Sequence, residues 1–375
     1  MLGIRRWSIP KPQTQTFAGG RPSCKSDWRL VDEIRNPQDI LSLTTRELTA
    51  KAVPGKVARD LLSSEARERA DEEWERACSL GIRIIDIRDP SYPALLLETY
   101  DPPVVLYVRS SDNKGWDSRR PHVAVVGARR ASAYGINCAE HIARNLAGLG
   151  IVIVSGLARG IDTAAHRGAL SDGDTVAVCG TGLDRVYPSE NRELSESIVA
   201  NGALLSEFPL GTPPLPANFP MRNRILAGMT LATIVVEAGE RSGSLITARL
   251  ALEANREVFA VPGPIFSPHS FGPHSLIRQG ACLVTDWKDV IEELGERVLV
   301  ALDLSECASC PDDTELSDPQ RTVRDALSAS EETAIDTLLS KLDLPRSEIY
   351  SALLDLELSG RIRQLPGDRY ILRLL

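Results

Sequence analysis

Glycines, small hydroxyl residues and arginines follow five apolar segments in the central part of the chain, and together they could bind an anion. Glycine lets the backbone approach a ligand closely, and the planar arginine side chain donates paired hydrogen bonds to phosphate oxygens. These groups occupy residues 127–132, 155–162, 180–182, 207–209 with 222–224 downstream, and 237–244. Because the same residue types recur after each segment, the sequence predicts a phosphate-binding pocket built from several loops.

Two of these groups stand before predicted helices, which strengthens the prediction. Arg129 precedes the helical spacing of residues 136–149, and Ser242-Gly243-Ser244 precedes that of residues 245–254. A helix N-terminus offers free N–H groups to an anion. For any single glycine an ordinary tight turn is an equal alternative, so the prediction depends on the convergence of the loops.

Asp162, His166 and Glu237 leave catalysis open as an alternative. Asp162 and His166 are close enough on a predicted helix to form an acid/base pair, although a capping Asp162 and a packed His166 are favoured because no nucleophile accompanies them. Glu237 ends a buried strand and could be a general base or an acceptor for backbone N–H groups that hold the following loop. Neither GxGxxG nor GxxxxGK[ST] occurs, so NTP hydrolysis at a P-loop is not expected.

The elements that must position these groups alternate between strand and helix. Apolar segments at residues 123–126, 151–154, 175–179, 203–205, 233–236 and 257–261 are mostly separated by helical spacing. Near-continuous apolar strands indicate a parallel sheet covered on both faces. We therefore predict an α/β fold with a doubly wound, Rossmann-like parallel sheet, in which ligands bind beyond the carboxyl ends of the strands.

Composition and spacing divide the chain into five regions. We predict a disordered tail (1–24), a small N-terminal helical domain with connecting strands (25–120), the Rossmann-like domain (121–296), a linker (297–325) and a winged helix (326–375). In the N-terminal domain the Val53-Pro54-Gly55-Lys56 turn resembles a helix-hairpin-helix, whose N–H groups can bind phosphate. An ordinary turn between helices is favoured there.

The winged helix is predicted from two helices at residues 331–342 and 347–358 and two strands at residues 361–365 and 370–374. Its second helix carries Glu348, Asp355 and Glu357 and no basic residue inside it. A DNA-reading helix normally presents basic or amide side chains, and this acidic one would repel phosphate. We expect a protein-interaction or accessory role in preference to duplex recognition.

Charge and cysteine usage limit the class of protein. A net charge of −8 gives no bulk attraction to nucleic acid, so any basic surface must be local. No run of about eighteen apolar residues occurs, and no membrane span is expected. The seven cysteines are scattered, as in a reducing cytoplasm, and Cys307 with Cys310 lacks the further ligands that zinc needs. We therefore expect a cytoplasmic protein with no metal and no cofactor.

Six motifs of the central region resemble the DNA-processing A (DprA/Smf) family. They are VGAR at 126–129, SGLARGID at 155–162, GTGLDRVYP at 180–188, FPMRNRI at 219–225, EAGERSGSLITA at 237–248 and FAVPG at 259–263. Together they span the predicted Rossmann-like domain, and the flanking domains resemble the family's sterile-alpha-motif-like and winged-helix ends.

The resemblance implies a non-enzymatic protein that binds single-stranded DNA, forms a homodimer through the Rossmann-like domain and loads RecA recombinase during natural transformation. By motif match, Arg129 would bind a DNA phosphate and further residues would line the same pocket. The predicted DNA- or phosphate-binding residues are Gly127, Arg129, Ser155, Gly156, Arg159, Arg222, Asn223, Arg224, Ser242, Gly243 and Ser244, and no catalytic residue is predicted.

Two positions depart from the family's pattern. His274 stands where the family usually has the asparagine of Gly-x-Asn-x-Leu-Ile, and Ser189 lies where some relatives carry a basic residue. If that asparagine pins a loop over the pocket, His274 must do so differently, through a pH-sensitive contact or, as we favour, as a neutral substitution. Ser189 would weaken DNA binding.

Two other functions compete with this interpretation. A nucleotide-processing enzyme, such as a nucleotide phosphoribohydrolase, can have a related Rossmann-like domain, but its Pro-Gly-Gly-x-Gly-Thr loop is absent from the matching residues 237–244. A duplex-DNA regulator acting through the winged helix is disfavoured by the acidic second helix.

Overall fold

The structure is a computed structural model and describes residues 42–51, 53–111, 116–295, 297–298, 317–327, 333–342, 344–358, 362–365 and 369–372. The predicted disordered tail, Cys307 and Cys310 lie outside these residues. The chain divides into two compact units, residues 1–298 and 299–375, and the finer domain boundaries given above stay predictions. Within the described residues, no helix has the length and apolar character needed to cross a membrane.

The first unit contains nine strands that form one sheet. The strands are β1 (Ile82–Asp86), β2 (Val105–Arg109), β3 (His122–Val126), β4 (Val152–Ser155), β5 (Thr175–Val178), β6 (Ala203–Ser206), β7 (Ala232–Val235), β8 (Glu257–Ala260) and β9 (Cys282–Leu283). Strands β3 to β8 match the six predicted segments to within one or two residues, because those segments are apolar and buried over nearly their full length.

The order of the strands is β1-β2-β6-β5-β4-β3-β7-β8-β9. Strands β3 to β9 pair in parallel, whereas β2 pairs antiparallel with both β1 and β6. The chain moves outward from β3 to β6 and then returns to the other side of β3 at β7, which places the topological switch point between β3 and β7. The predicted doubly wound sheet is confirmed, and the connecting strands β1 and β2 extend it.

Helices surround this sheet and precede it. They are α1 (Thr45–Ala50), α2 (Gly55–Leu61), α3 (Ser64–Ser79), α4 (Ala94–Leu97), α5 (Ala133–Gly148), α6 (Ile161–Asp172), α7 (Arg192–Asn201), α8 (Asn218–Gly228), α9 (Gly243–Glu253), α10 (Phe271–Arg278) and α11 (Trp287–Leu294). Helix α5 shows why the spacing predicts them: Ala139, Ile142 and Leu146 recur on one face and are buried. Its start is fixed by Ser132, whose hydroxyl accepts a hydrogen bond from the N–H of Gly135 (3.1 Å).

The N-terminal helices have a small core of their own. Leu48, Val53 and Ala58 are buried together, and Thr44 and Glu47 form a capping box at the start of α1. The turn that ends at Pro54 joins α1 to α2. A role for this turn in phosphate binding stays a prediction.

The second unit has the winged-helix elements, and the predicted winged helix is confirmed by a family match given below. Its elements are α12 (Asp318–Asp325), β10 (Thr333–Ala334), α13 (Ile335–Lys341), α14 (Arg346–Leu358), β11 (Ile362–Leu365) and β12 (Arg369–Leu372). Residues 333–334, predicted as helix, form a strand because they pair with Arg369 and Tyr370. Helix α12 falls inside the predicted linker, and its Val323 is buried in the core of this unit.

Candidate functional site

The loops after β3 and β4 meet at the carboxyl edge of the sheet, beside the switch point. The N–H of Ile161 donates to the carbonyl of Ala128 (3.2 Å). Gly160 has a φ of +75°, and a Cβ there would lie 2.8 Å from the carbonyl oxygen of Arg129. At Gly127 a Cβ would lie 2.6 Å from the Ile161 side chain. Glycine is therefore required here for loop-to-loop contact, which fixes the backbone that carries Arg129.

Arg222 is buried behind these loops. Its side chain projects from α8, is 4% exposed and donates from Nη1 to the carbonyl oxygen of Val178 at the end of β5. Gly156 leaves the space for this guanidinium, since a Cβ there would overlap both terminal nitrogens of Arg222 and would lie 2.6 Å from the Asp162 carboxylate. Arg222 therefore supports the loops from the interior of the sheet edge.

Asp162 lies on the other side of Gly156 and stabilises the same loop. Its carboxylate accepts hydrogen bonds from the N–H groups of Gly156 (3.1 Å) and Ala158 (3.3 Å). Burial raises the pKa of Asp162, and the charge of Arg222 opposes this rise. Burial also lowers the pKa of Arg222, and Asp162 counteracts that effect. The two groups thus form a buried, oppositely charged couple around Gly156.

His166 packs in the core and forms no acid/base pair with Asp162. Its Nδ1 lies 2.7 Å from the hydroxyl of Thr175, and that hydroxyl donates to the carbonyl of Ile153 (2.7 Å). The hydroxyl therefore accepts from Nδ1–H, and in the neutral imidazole that burial favours Nε2 is the unprotonated nitrogen. Burial lowers the pKa of His166 to about 3, with a further contribution from Arg222.

Glu237 follows β7 and holds the loop after β3. Its carboxylate accepts from the N–H of Ser132 (2.9 Å) and from the Ser132 hydroxyl (2.5 Å). It also lies against Gly135 in the first turn of α5, where a Cβ would come within 2.6 Å of Oε2. Of the two alternatives given above, the structure therefore favours the acceptor of a backbone N–H, but that N–H belongs to the loop after β3, across the switch point, and not to the loop that follows Glu237.

The outer surface of this edge combines a cation with two aromatic rings. Arg129 is exposed, and its guanidinium carbon lies 5.7 Å from the ring centroid of Phe219, a distance typical of a cation–π contact. The ring of Tyr187 lies 5.5 Å from that of Phe219 and is tilted by 45°. Among the described residues Arg129 forms no ion pair. We name Arg129, Phe219 and Tyr187 the outer cluster.

Two other predicted arginines are neutralised by carboxylates. Arg159 forms a two-point ion pair with Glu190, with Nη2 and Oε2 2.7 Å apart. Arg224 is directed away from Arg222, bonds to the carbonyl of Asp101 (2.8 Å) and forms an ion pair with Glu207. Burial raises the pKa of Glu207, which the charge of Arg224 counteracts. In this conformation both arginines are therefore paired within the protein and are not available to an external phosphate.

The predicted serines also bond within the protein. The Ser155 hydroxyl is buried and donates to the carbonyl of Val125 (2.7 Å). The hydroxyls of Ser242 and Ser244 lie 2.7 Å apart at the start of α9, where Gly243 faces open space. No hydrogen bond or ion pair in the described part of the chain joins this turn to Arg129. Asn223 lies half-buried on α8.

Sequence reasoning missed the aromatic half of the outer cluster. Phe219 and Tyr187 both lie in motifs quoted above, but only the charged residues, glycines and serines of these motifs were predicted to bind phosphate. One signal was present, because Gly180 leaves room for the Phe219 ring, whose Cδ1 would be 3.0 Å from a Cβ at that position. The departure at His274 now has a contact: Nε2 lies 3.0 Å from the carbonyl of Gly263, so the histidine anchors the loop after β8.

Two family models match the chain. The model of DNA recombination-mediator protein A covers residues 83–295, and that of the DprA winged helix domain covers residues 308–368. Protein Smf of Escherichia coli is 43% identical over 285 residues, which are 75% of each chain. DNA processing protein DprA of Streptococcus pneumoniae is 48% identical over 208 residues, 55% of this chain and 72% of that protein.

Two solved structures share the fold. DprA of Streptococcus pneumoniae superposes with a TM-score of 0.62 at 37% identity, covering 72% of this chain and 93% of that one. DNA processing protein A of Helicobacter pylori, solved for its single-stranded DNA binding mode, gives a TM-score of 0.51 at 29% identity and covers 57% of this chain and 95% of that one.

Proposed function

The chain belongs to the DNA recombination-mediator protein A (DprA/Smf) family, and from this premise we propose that it binds single-stranded DNA at the carboxyl edge of its sheet without catalysing a reaction. The outer cluster is the observation that carries the proposal. Single-strand binding combines a cation for the backbone with aromatic faces on which bases stack. Arg129 would bind a phosphate, and Phe219 and Tyr187 would stack with bases.

The buried couple has a supporting part in this proposal. Gly156, Asp162 and Arg222 hold the loop after β4 in position, and that loop supports the backbone of Arg129 through Gly160. Arg222 would thus act on DNA binding through the shape of the loop, with no direct phosphate contact. Direct DNA contacts by Arg159, Asn223, Arg224 and the Ser242–Ser244 turn stay predictions.

The remaining parts of the proposal depend on the family. We propose that the protein loads RecA recombinase onto the bound strand during DNA uptake, in the cytoplasm, as a homodimer. Exposed apolar side chains support self-association: Ile265 and Phe266, in the loop after β8, are 79% and 93% exposed, and such surfaces are typical of protein–protein contacts. Sedimentation velocity of the full chain measures the dimer directly.

Salt-dependent binding tests the central proposal. We expect Arg129→Ala to lower the affinity for single-stranded oligothymidylate about tenfold at about 0.1 M salt, as for the loss of a hydrogen bond to a charged group. The slope of log K against log salt should fall by about 0.7, the value for one phosphate contact on a single strand. Fluorescence anisotropy on single and duplex oligonucleotides gives both quantities.

Arg144→Ala is the matched control. Arg144 is an exposed arginine of α5 that forms an ion pair with Asp172 (2.6 Å), so this variant removes the same charge away from the outer cluster. Equal affinities of wild type and Arg129→Ala across the salt range would refute the proposal.

A nucleotide-processing enzyme is the alternative, and Glu237 argues against it. Its carboxylate is already bound by two Ser132 groups, so it is poorly placed to act as a general base. Incubation with nucleoside monophosphates should release no free base.

A further inference from the structure

A cavity of about 460 Å³ opens beside the outer cluster, within the first unit. Its lining includes Leu80, which follows α3, and Ile82, the first residue of β1, together with Arg185, Tyr187 and Arg192. Ligand pockets commonly measure about 300–1,000 Å³, so the cavity has room for one nucleotide. Neither the motifs nor the predicted site residues assign a role to it.

The charges of the cavity favour an anion. Two acidic lining residues are neutralised, because Glu196 forms an ion pair with Arg109 (3.1 Å) and Asp184 forms one with Arg76 (2.6 Å). Arg185 and Arg192 are exposed, and within the part of the chain that the structure describes neither forms an ion pair. The lining residues therefore include three arginines, Arg109, Arg185 and Arg192, and two carboxylates, an excess of one positive charge, and Arg76 offsets Asp184 from outside the lining, in a chain whose net charge is −8.

Tyr187 connects the cavity to the outer cluster. Its side chain is 46% exposed, lines the cavity and contacts the Phe219 ring, at a centroid distance of 5.5 Å. The Phe219 ring in turn contacts Arg129. Arg129 and the two rings are thus joined by successive contacts to a cavity that Arg185 and Arg192 also line, and cations combined with aromatic faces suit a stacked, extended polyanion.

We propose that this cavity is a second subsite for the strand held by Arg129, in which Arg185 and Arg192 bind a backbone phosphate beyond Tyr187. The inference rests on the proposed function and extends it, because it assigns the path by which the strand leaves the outer cluster. The path runs over Tyr187 and between α7 and the segment that precedes β1. The residues between α3 and β1, with Leu80 and Ile82, are therefore part of the proposed DNA-binding surface.

A length series distinguishes this subsite from the outer cluster. Oligothymidylates of about 4 to 16 nucleotides cover the site sizes of single-strand binding folds. The double variant Arg185→Ala/Arg192→Ala should bind the shortest strands as wild type does. For the longest strands it should lose about tenfold or more in affinity, and its salt slope should fall by about 0.7, for the loss of one phosphate contact. Arg129→Ala should weaken binding at every length.

The control is Arg144→Ala/Arg249→Ala, which removes two exposed arginines that form ion pairs with Asp172 and Glu253. It matches the change in net charge and should leave the length series unchanged. Arg185→Lys/Arg192→Lys should restore most of the affinity for long strands, because lysine retains the charge. Circular dichroism of each variant checks that the fold is intact.

Three outcomes would overturn the subsite. The double variant could bind long strands as tightly as wild type while Arg129→Ala is impaired, which leaves the proposed function intact. The control could lose as much affinity as the double variant, which assigns the effect to net charge. Arg185 and Arg192 could be needed for tight binding of thymidine monophosphate but not for the affinity for long strands, which indicates a free-nucleotide site. If wild type binds no single strand at all, the proposed function itself fails.

Discussion

Arg129 and Arg222 carry the same guanidinium at the same edge of the sheet, yet one faces solvent and the other is inside. Arg222 lies among Gly156, Asp162 and the carbonyl of Val178, whereas Arg129 lies over the ring of Phe219. A buried charge requires a partner and hydrogen bonds, and an exposed one retains its hydration and can exchange it for a phosphate. The pair contrasts a buried arginine that supports the loops with an exposed one that is available for the phosphate contact proposed above.

The largest expected effect separates the two arginines by stability. Arg222→Met should lower the free energy of unfolding by about 3–5 kcal/mol, because it leaves Asp162 buried without its opposing charge. Arg129→Met should change it by less than about 0.5 kcal/mol, as is usual for exposed sites. Urea unfolding followed by far-UV circular dichroism measures both.

A double variant sharpens this test. In Arg222→Met/Asp162→Asn both charges are absent, and part of the stability should return, since neither buried charge is then left without the opposite charge near it. If Arg222→Met were as stable as wild type, the distinction between a building and a contacting arginine would be lost.

The second effect concerns acid. Burial lowers the pKa of His166 to about 3 and that of His122 to about 4, whereas both titrate near about 6.5 in the unfolded chain. The stability they give is therefore complete above about pH 6.5 and is lost as the pH falls, by about 1.4 kcal/mol per pH unit for each histidine. His166→Gln should reduce that dependence by about half, measured by urea unfolding between about pH 7 and pH 5.

His141→Gln is the control for the acid test, because His141 lies exposed on α5. It should leave the slope of stability against pH nearly unchanged. An unaltered slope in His166→Gln would contradict the view that burial keeps the His166 imidazole uncharged in the folded protein.

The smallest effect concerns Ser132, which lies in the loop that carries Arg129. Its hydroxyl caps α5 and donates to Glu237, so Ser132→Ala should lower the free energy of unfolding by about 1 kcal/mol. Since the same loop carries Arg129, the affinity for single strands should fall as well, by less than in Arg129→Ala. Anisotropy and urea unfolding give the two values.

Ser63→Ala separates these two consequences. Ser63 caps α3, where its hydroxyl accepts from the N–H of Ala66 (3.1 Å), and it has no part in the outer cluster. The variant should lose similar stability and keep its DNA affinity. If DNA binding fell equally in both variants, stability alone would explain the effect of Ser132.

More of the fold than of the candidate site could be predicted from the sequence. Buried strands such as β3 are apolar throughout, so their positions follow from local composition. The pairing of β2 with β6 is non-local, since Tyr107 lies opposite Ser206, and nothing in either segment specifies its partner. Strand β9 has only two residues and gives no pattern to detect.

The sequence predicted which residues lie at this edge of the sheet, but not which of them are buried and which are exposed. The strand-end rule located Arg129, Gly156 and Arg222 at one edge, because it depends only on topology. It could not tell which arginine faces solvent, since that depends on the space at Gly156 and on the carboxylate of Asp162. Phe219 was not predicted as a site residue because an aromatic residue at the start of a helix is usually part of the hydrophobic core.

The antiparallel strands β1 and β2 also have a consequence for biosynthesis. They leave the ribosome well before β6, yet β2 pairs with β6 through Tyr107, Val108 and Arg109. Until β6 emerges, β2 has an open edge, and such edges are prone to intermolecular pairing. Conversely, a recombinant fragment starting at residue 121 would expose β6. We expect such a fragment to aggregate, so the Rossmann-like domain is best expressed together with β1 and β2.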